Sequence, residues 1–156
     1  MADGFSKAGL DHSNARTKEQ QELMRAIEQD GVCPFCAEHF RTYHPKPIIK
    51  ETDSWFFTEN MSPYEGTTQH FIFVYKKAHV TTPGEITSES RAELFELIDW
   101  AIREYDIRGG SFFMRFGEGG YNGSSVEHLH AQLLTGVKEG EDTEGLKVKL
   151  GYKKKR

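Results

Sequence analysis

Gly123-Ser124-Ser125-Val126-Glu127-His128-Leu129-His130-Ala131-Gln132-Leu133-Leu134 is the stretch on which the reading of this chain turns. A glycine-bearing loop feeds a segment in which His128, His130 and Gln132 recur at every second position. Strand side chains alternate between faces, so a strand here sets two imidazoles and an amide in one row and leaves Leu129 and Leu133 for packing. An isolated His-x-His is most often a solvated strand face. Two histidines and a glutamine together form a set able to bind metal, accept protons or attack phosphorus. Partners elsewhere in the chain favour that second reading.

Upstream of the glycine loop Gly117 to Gly123, Ser111 to Phe116 reads as an apolar strand. Before it, Leu94, Phe95, Leu97, Ile98, Ala101, Ile102 and Tyr105 form a broad stripe at helical spacing, with Ser88 as candidate N-cap and Gly109-Gly110 beyond the end. His70 to Tyr75 is the strongest strand signal, aromatic and β-branched as a central strand requires. Ile48 to Glu51 and Ser54 to Thr58 flank Thr52-Asp53 as a hairpin. A short helix over Leu23, Met24 and Ile27 starts at Thr17, with Gln20 completing a capping box, and stops at Asp30-Gly31. Downstream, Glu139 to Gly145 is a surface loop, and Leu146 to Leu150 alternates like an edge strand. Pro45 and Pro47 break the segment after the cysteines. The order predicts an α+β domain: an antiparallel sheet of about five strands, one long helix and a short N-terminal helix.

A chain of 156 residues suits one domain, expected over 17–152, between a flexible polar leader at 1–16 and a basic tail at 153–156. The net charge of −4 argues against an extended nucleic-acid surface. No apolar run approaches membrane-spanning length and the N-terminus lacks a signal-peptide core, so the expected location is cytoplasmic. In a reducing compartment Cys33-Pro34-Phe35-Cys36 implies metal or redox work, not a structural disulfide. The element order does not form the βαβ unit that supports a thioredoxin-like motif, which puts metal ahead of redox.

Zinc takes tetrahedral sulfur and nitrogen ligands, and Cys33 and Cys36 supply two thiolates from one turn. Histidines must supply the rest. His39 is the local candidate; His79 and His128 are distant ones at strand ends. Spacing alone leaves that choice open.

The pattern Gly123, Ser125, Val126, His128, His130, Gln132 resembles the closing motif of the histidine-triad superfamily, especially its branch containing galactose-1-phosphate uridylyltransferase. Ser62-Pro63, His70 to Val74 and Lys77-Ala78-His79-Val80 resemble the family's middle strand and its exit, and the match spans roughly 31–136. Gln132 stands where the name-giving triad has its third histidine, as in the uridylyltransferase branch. The asparagine that hydrolase members carry early in the glycine loop falls at about Gly117, which leaves Asn122 to make any equivalent contact.

The resemblance implies a nucleotidyl hydrolase or transferase acting at the α-phosphate of a nucleotide or nucleotide conjugate. His130 is then the nucleophile that forms a covalent nucleotidyl-histidine, and Cys33, Cys36, His79 and His128 hold a structural zinc ion. Gln132 and Ser125 donate to phosphate oxygens, His70 sits at the pocket rim, and Gly123, Ser124 and Asn122 bind substrate. A homodimer joined through the long helix and a sheet edge is implied in the same way. The rivals are a catalytically idle nucleotide-binding regulatory module and, further behind, a redox protein using Cys33 and Cys36.

Overall fold

The computed structural model describes residues 17–156, and the expected leader at 1–16 lies outside the described residues. The Thr17 hydroxyl accepts from the Gln20 amide and caps α1 (Lys18–Asp30), which ends where Gly31 takes a φ of 69°. A second helix, α2 (Ala37–Tyr43), follows the cysteine turn. Pro45 and Pro47, which break the sequence pattern here, lie just beyond its end, where a helix stops anyway.

The sheet has strands β1 (Ile48–Glu51), β2 (Trp55–Glu59), β3 (Gln69–Tyr75), β4 (Ser111–Arg115) and β5 (His130–Thr135). Their spatial order is β1-β2-β3-β5-β4, and every neighbouring pair is antiparallel. The long helix α3 (Ser88–Glu104) carries the chain from β3 to the far edge, so that β5 returns between β3 and β4. The one-turn helix α4 (Gly119–Asn122) lies in the glycine loop.

One face of the sheet packs Trp55, Phe57, Phe71, Phe73, Leu129, Ala131 and Leu133 against Leu94, Leu97, Ile98 and Ala101 of α3. On the other face Phe40 of α2 meets Phe56, Ile72 and Val74, while Met24 and Ile27 of α1 meet Val126. β3 is thus covered on both sides, which explains its apolar run from Phe71 to Tyr75. Phe40 stacks between Phe56 and His44 at centroid distances of 4.9 and 4.8 Å and anchors α2 beside the cysteine turn. Truncating such a buried phenylalanine to alanine costs about 3–5 kcal/mol.

Four expectations are corrected. The cap of α3 is Thr87, not Ser88, because its hydroxyl reaches the Ser90 amide. The helical stripe is narrower than read: Phe95 is 60% and Ile102 37% exposed. Residues 146–150 form no strand; Leu146 instead packs so closely on Gly66 and Gly136 that a methyl group at either would press into it. Finally, β5 begins only at His130. The Leu129 amide donates to Val80, outside the ladder, and Val126 turns toward α1, away from the α3 core that holds Leu129 and Leu133.

Candidate functional site

The break ahead of β5 separates the two histidines. The His128 Nε2 lies 2.6 Å from the Tyr75 carbonyl oxygen, which can only accept, so Nε2 carries the proton and Nδ1 is left with its lone pair. That Nδ1 sits 3.5 Å from Cys33 Sγ, 3.7 Å from Cys36 Sγ and 3.2 Å from His79 Nδ1. Cys36 Sγ is 3.4 Å from His79 Nδ1, and all four donor atoms lie within 4.8 Å of one another. A tetrahedron with bonds of about 2.3 Å to sulfur and about 2.05 Å to nitrogen has edges of roughly 3.3–3.8 Å. Four of the six spacings, 3.2–3.7 Å, fall close to those edges and none exceeds 4.8 Å, so the donor set can hold a metal ion. His79 belongs to it; His39 does not, and points to Glu38 at 3.9 Å.

Burial pushes the Cys33 thiol up, and burial together with the neighbouring sulfur pushes Cys36 up to about 12. Two thiolates are stable here only with a cation between them. Burial also lowers His128 to about 4, keeping it neutral as a ligand must be.

His130 has the opposite tautomer. Its Nδ1 is 2.6 Å from the His128 carbonyl, so Nδ1 carries the proton. Nε2 keeps its lone pair and has no hydrogen-bond partner among the described residues. Phe35 stands edge-on against the ring at 5.0 Å and fixes its plane. Burial, with a smaller contribution from the Arg115 charge, lowers His130 to about 4. The imidazole is therefore neutral at pH 7 and available as a nucleophile.

His130 lines a cleft of about 770 Å³, open mouth included, between the sheet and the α1–cysteine-turn segment. Leu23, Met24, Ile27, Phe35 and Val126 give it an apolar wall, and Gln132, Ser125 and Arg115 give it polar groups. His70 orients Gln132. The Tyr64 amide donates to His70 Nδ1 at 3.1 Å, which forces the His70 proton onto Nε2, and Nε2 donates to Gln132 Oε1 at 2.6 Å. The Gln132 carbonyl is thereby occupied and its NH2 group is left as a donor in the cleft that holds His130.

The other expected contributors lie differently. Asn122 donates to the Phe116 carbonyl and accepts from the Ser124 amide, and the Ser124 hydroxyl donates to the Val126 carbonyl. These bonds shape the glycine loop. Gly123, at φ 75°, faces Lys149 so closely that a side chain would collide with it, and it lines a neighbouring cleft with Ser125. Arg115, Tyr64 and Phe35 were not anticipated. A charged residue closing the otherwise apolar strand Ser111 to Phe116 was the available signal for Arg115.

No family model and no curated protein matches this sequence. Solved structures do, 36 chains among them. A histidine triad nucleotide-binding protein from Candida albicans superposes with a TM-score of 0.53 at 13% identity, covering 71% of this chain and 84% of that one. A zinc-bound histidine triad family protein from Mycobacterium smegmatis gives 0.51 at 20% identity, covering 74% and 82%. A histidine triad protein from Clostridium difficile gives 0.51 at 21% identity, covering 66% and 90%. The chain has the histidine-triad fold, α+β with a five-stranded antiparallel sheet, and no helix among the described residues is long and apolar enough to cross a membrane.

Proposed function

We propose that this protein is a zinc-containing nucleotidyl hydrolase or transferase that works through a nucleotide covalently attached to His130. The observation that carries the reading is the His130 tautomer: a neutral, buried imidazole with a lone pair on Nε2, in a cleft it shares with an oriented glutamine amide. Nε2 forms a bond to the α-phosphorus as the bond from phosphorus to the leaving oxygen breaks. Nδ1 keeps its proton, and the His128 carbonyl stabilises the positive charge that develops on the ring. The Gln132 NH2 and Ser125 donate to the phosphate oxygens, and the apolar wall takes sugar and base. Water or a second acceptor then releases the nucleotide.

Cys33, Cys36, His79 and His128 are the proposed zinc ligands. A closed four-ligand ion of this kind braces the segment that precedes the nucleophile and leaves no open position for substrate. The glutamine at position 132 aligns this site with the uridylyltransferase branch. We also read the face formed by Phe95 and Phe112, exposed and in edge-to-face contact at 5.7 Å beside the open edge of β4, as a homodimer surface.

A single turnover with nucleotide labelled at the α-phosphate tests the mechanism. Quenching in alkaline denaturant should leave an acid-labile phosphoramidate label on the wild-type protein and none on His130→Ala. Nucleotide binding without label would assign the chain to an idle binding module instead. Reversible loss of the metal site on mild oxidation, with no nucleotide binding, would favour the redox alternative.

A further inference from the structure

Cys33 and Cys36 are the two thiols of this chain, and both are half-buried, within reach of a small oxidant. They sit in one turn, which the Cys36 amide closes by donating to the Cys33 carbonyl at 3.4 Å. Such a turn keeps its end Cα atoms within about 7 Å, and a disulfide spans Cα separations of up to about 6.8 Å. The two sulfurs lie within 4.8 Å of each other. Joining them therefore needs a contraction of the turn and no rearrangement of the fold.

Whatever moves this turn moves the surroundings of His130. Phe35 lies between the two cysteines in sequence, and its ring stands edge-on to His130 at 5.0 Å and to His128 at 6.2 Å. His128 Nδ1 faces both sulfurs, while the His128 carbonyl accepts the Nδ1 proton of His130. The donor set is also easily undone. Without the sulfurs only His79 and His128 remain, half of a closed tetrahedral set, and His79 is exposed.

Resting on the nucleotidyl reading above, we infer that the cysteine turn is a peroxide-sensitive switch on His130. Oxidation of Cys33 and Cys36 to a disulfide releases the zinc ion and halts nucleotidyl transfer until the pair is reduced. One thiolate attacks a peroxide oxygen, and the O–O bond breaks to leave a sulfenic acid and hydroxide. The second sulfur then attacks the first; the S–S bond forms, the S–O bond breaks and a second hydroxide leaves. Two electrons pass from the sulfurs to the peroxide, and two protons from solvent convert the hydroxides to water. Neither sulfur is then a thiolate, so neither holds the ion. The contracted turn draws Phe35 off the imidazole at the same time. The cysteines act here as a sensor and perform no thiol exchange on a substrate.

The test adds stoichiometric hydrogen peroxide to the freshly purified, reduced wild-type protein. Zinc release is followed with a colorimetric chelator, free thiols by alkylation in denaturant and mass measurement, and label on His130 by the single-turnover assay. Zinc release, loss of both alkylation sites and loss of label should advance together. Label should fall by about a hundredfold, the scale set by an ångström of misplacement at a reacting group. A dithiol reductant with added zinc should restore zinc binding, thiols and label. That reversal separates the switch from oxidation of Met24 and Met61, which line the same cleft and whose sulfoxides need their own reductases. Label that persists through complete zinc release overturns the inference and leaves the nucleotidyl reading intact. So does zinc that stays bound while peroxide is consumed, or a loss of label that reductant and zinc do not reverse. Reduced protein that never takes label overturns the nucleotidyl reading, and this inference with it.

Discussion

His128 and His130 stand two residues apart, both buried and both lowered to about 4, yet they present opposite nitrogens to opposite tasks. His128 gives its Nε2 proton to the Tyr75 carbonyl and turns Nδ1 to two sulfurs and a third ring nitrogen. His130 gives its Nδ1 proton to the carbonyl of His128 itself and keeps Nε2 for the cleft. In each case a backbone carbonyl selects the tautomer, and the tautomer selects the chemistry. The two regions are also coupled, because any ion that holds His128 holds the carbonyl that orients His130.

The largest expected effect breaks one region and spares the other. His130→Ala should lower nucleotidyl transfer by about a thousandfold or more, the scale on which loss of a nucleophile is felt. Its metal content and melting temperature should stay close to wild type, while His128→Ala should lose metal, stability and activity together. Equal metal loss in the two variants would mean that they do not occupy separate sites.

Cys33→Ala attacks the metal region from its other end. Elemental analysis should show less than half the zinc of the wild type, which is expected to carry about one ion per chain. Because ligand binding to the folded state feeds into stability, the melting temperature should fall by about 10 °C or more, and a strong chelator should reproduce the fall in the wild type. Undiminished zinc in the variant would refute the ligand assignment.

A more moderate effect is expected at Gln132. Gln132→Ala should reduce turnover by about a hundredfold, as for loss of one transition-state donor. His70→Leu should lose less, since it only frees the amide to rotate. Wild-type turnover should favour a nucleoside polyphosphate over a nucleoside phosphoramidate, whose amine needs a proton to leave. A clear preference for the phosphoramidate contradicts this account.

The smallest effect separates burial from ligation. His44 lines the same cleft, bonds Thr58 at 3.0 Å and lies outside the metal cluster. Burial, helped by Lys46 and opposed by a backbone bond at Glu59, lowers it to about 4. As pH falls, the unfolded chain takes up this proton first. The stability that neutral His44 confers is therefore present above about pH 6.5 and is lost as pH drops toward 4. Between pH 7 and pH 5 the melting temperature of His44→Asn should fall by a few degrees less than that of the wild type. An equal fall would mean that His44 does not titrate in this window.

Much of this was legible in the chain. The caps at Thr17 and Gly31, the strands at 48–51 and 70–75, and the long helix follow from local patterns that hold wherever the segment sits. The signals that failed depend on what lies across the sheet. Phe95 looks as apolar as Leu94, and only the direction of α3 over β2 and β3 decides that one is buried and the other is not. Leu146 to Leu150 alternates well, but the Lys149 carbonyl is taken by Arg115 and Leu146 by two glycines, so no strand forms.

By itself the sequence determined α1, α3, the strands of the sheet, the α+β class and the residue types that could carry chemistry, because helix caps, periodicity and ligand identity are properties of near neighbours. Tertiary structure alone decided which histidines meet. His79 joins Cys33 and Cys36 although His39 is closer in sequence, because α2 carries His39 away from the turn while the Val80–Leu129 bond draws the end of β3 beside His128. The row of alternating side chains read from 128 to 132 breaks at that same bond, which lies off the β5 ladder and frees His128 for the cysteines while His130 stays in the sheet. Local pattern predicts which side a side chain takes on its own strand. Which partner lies across from it depends on long-range contacts, and here those contacts divide one motif into two sites.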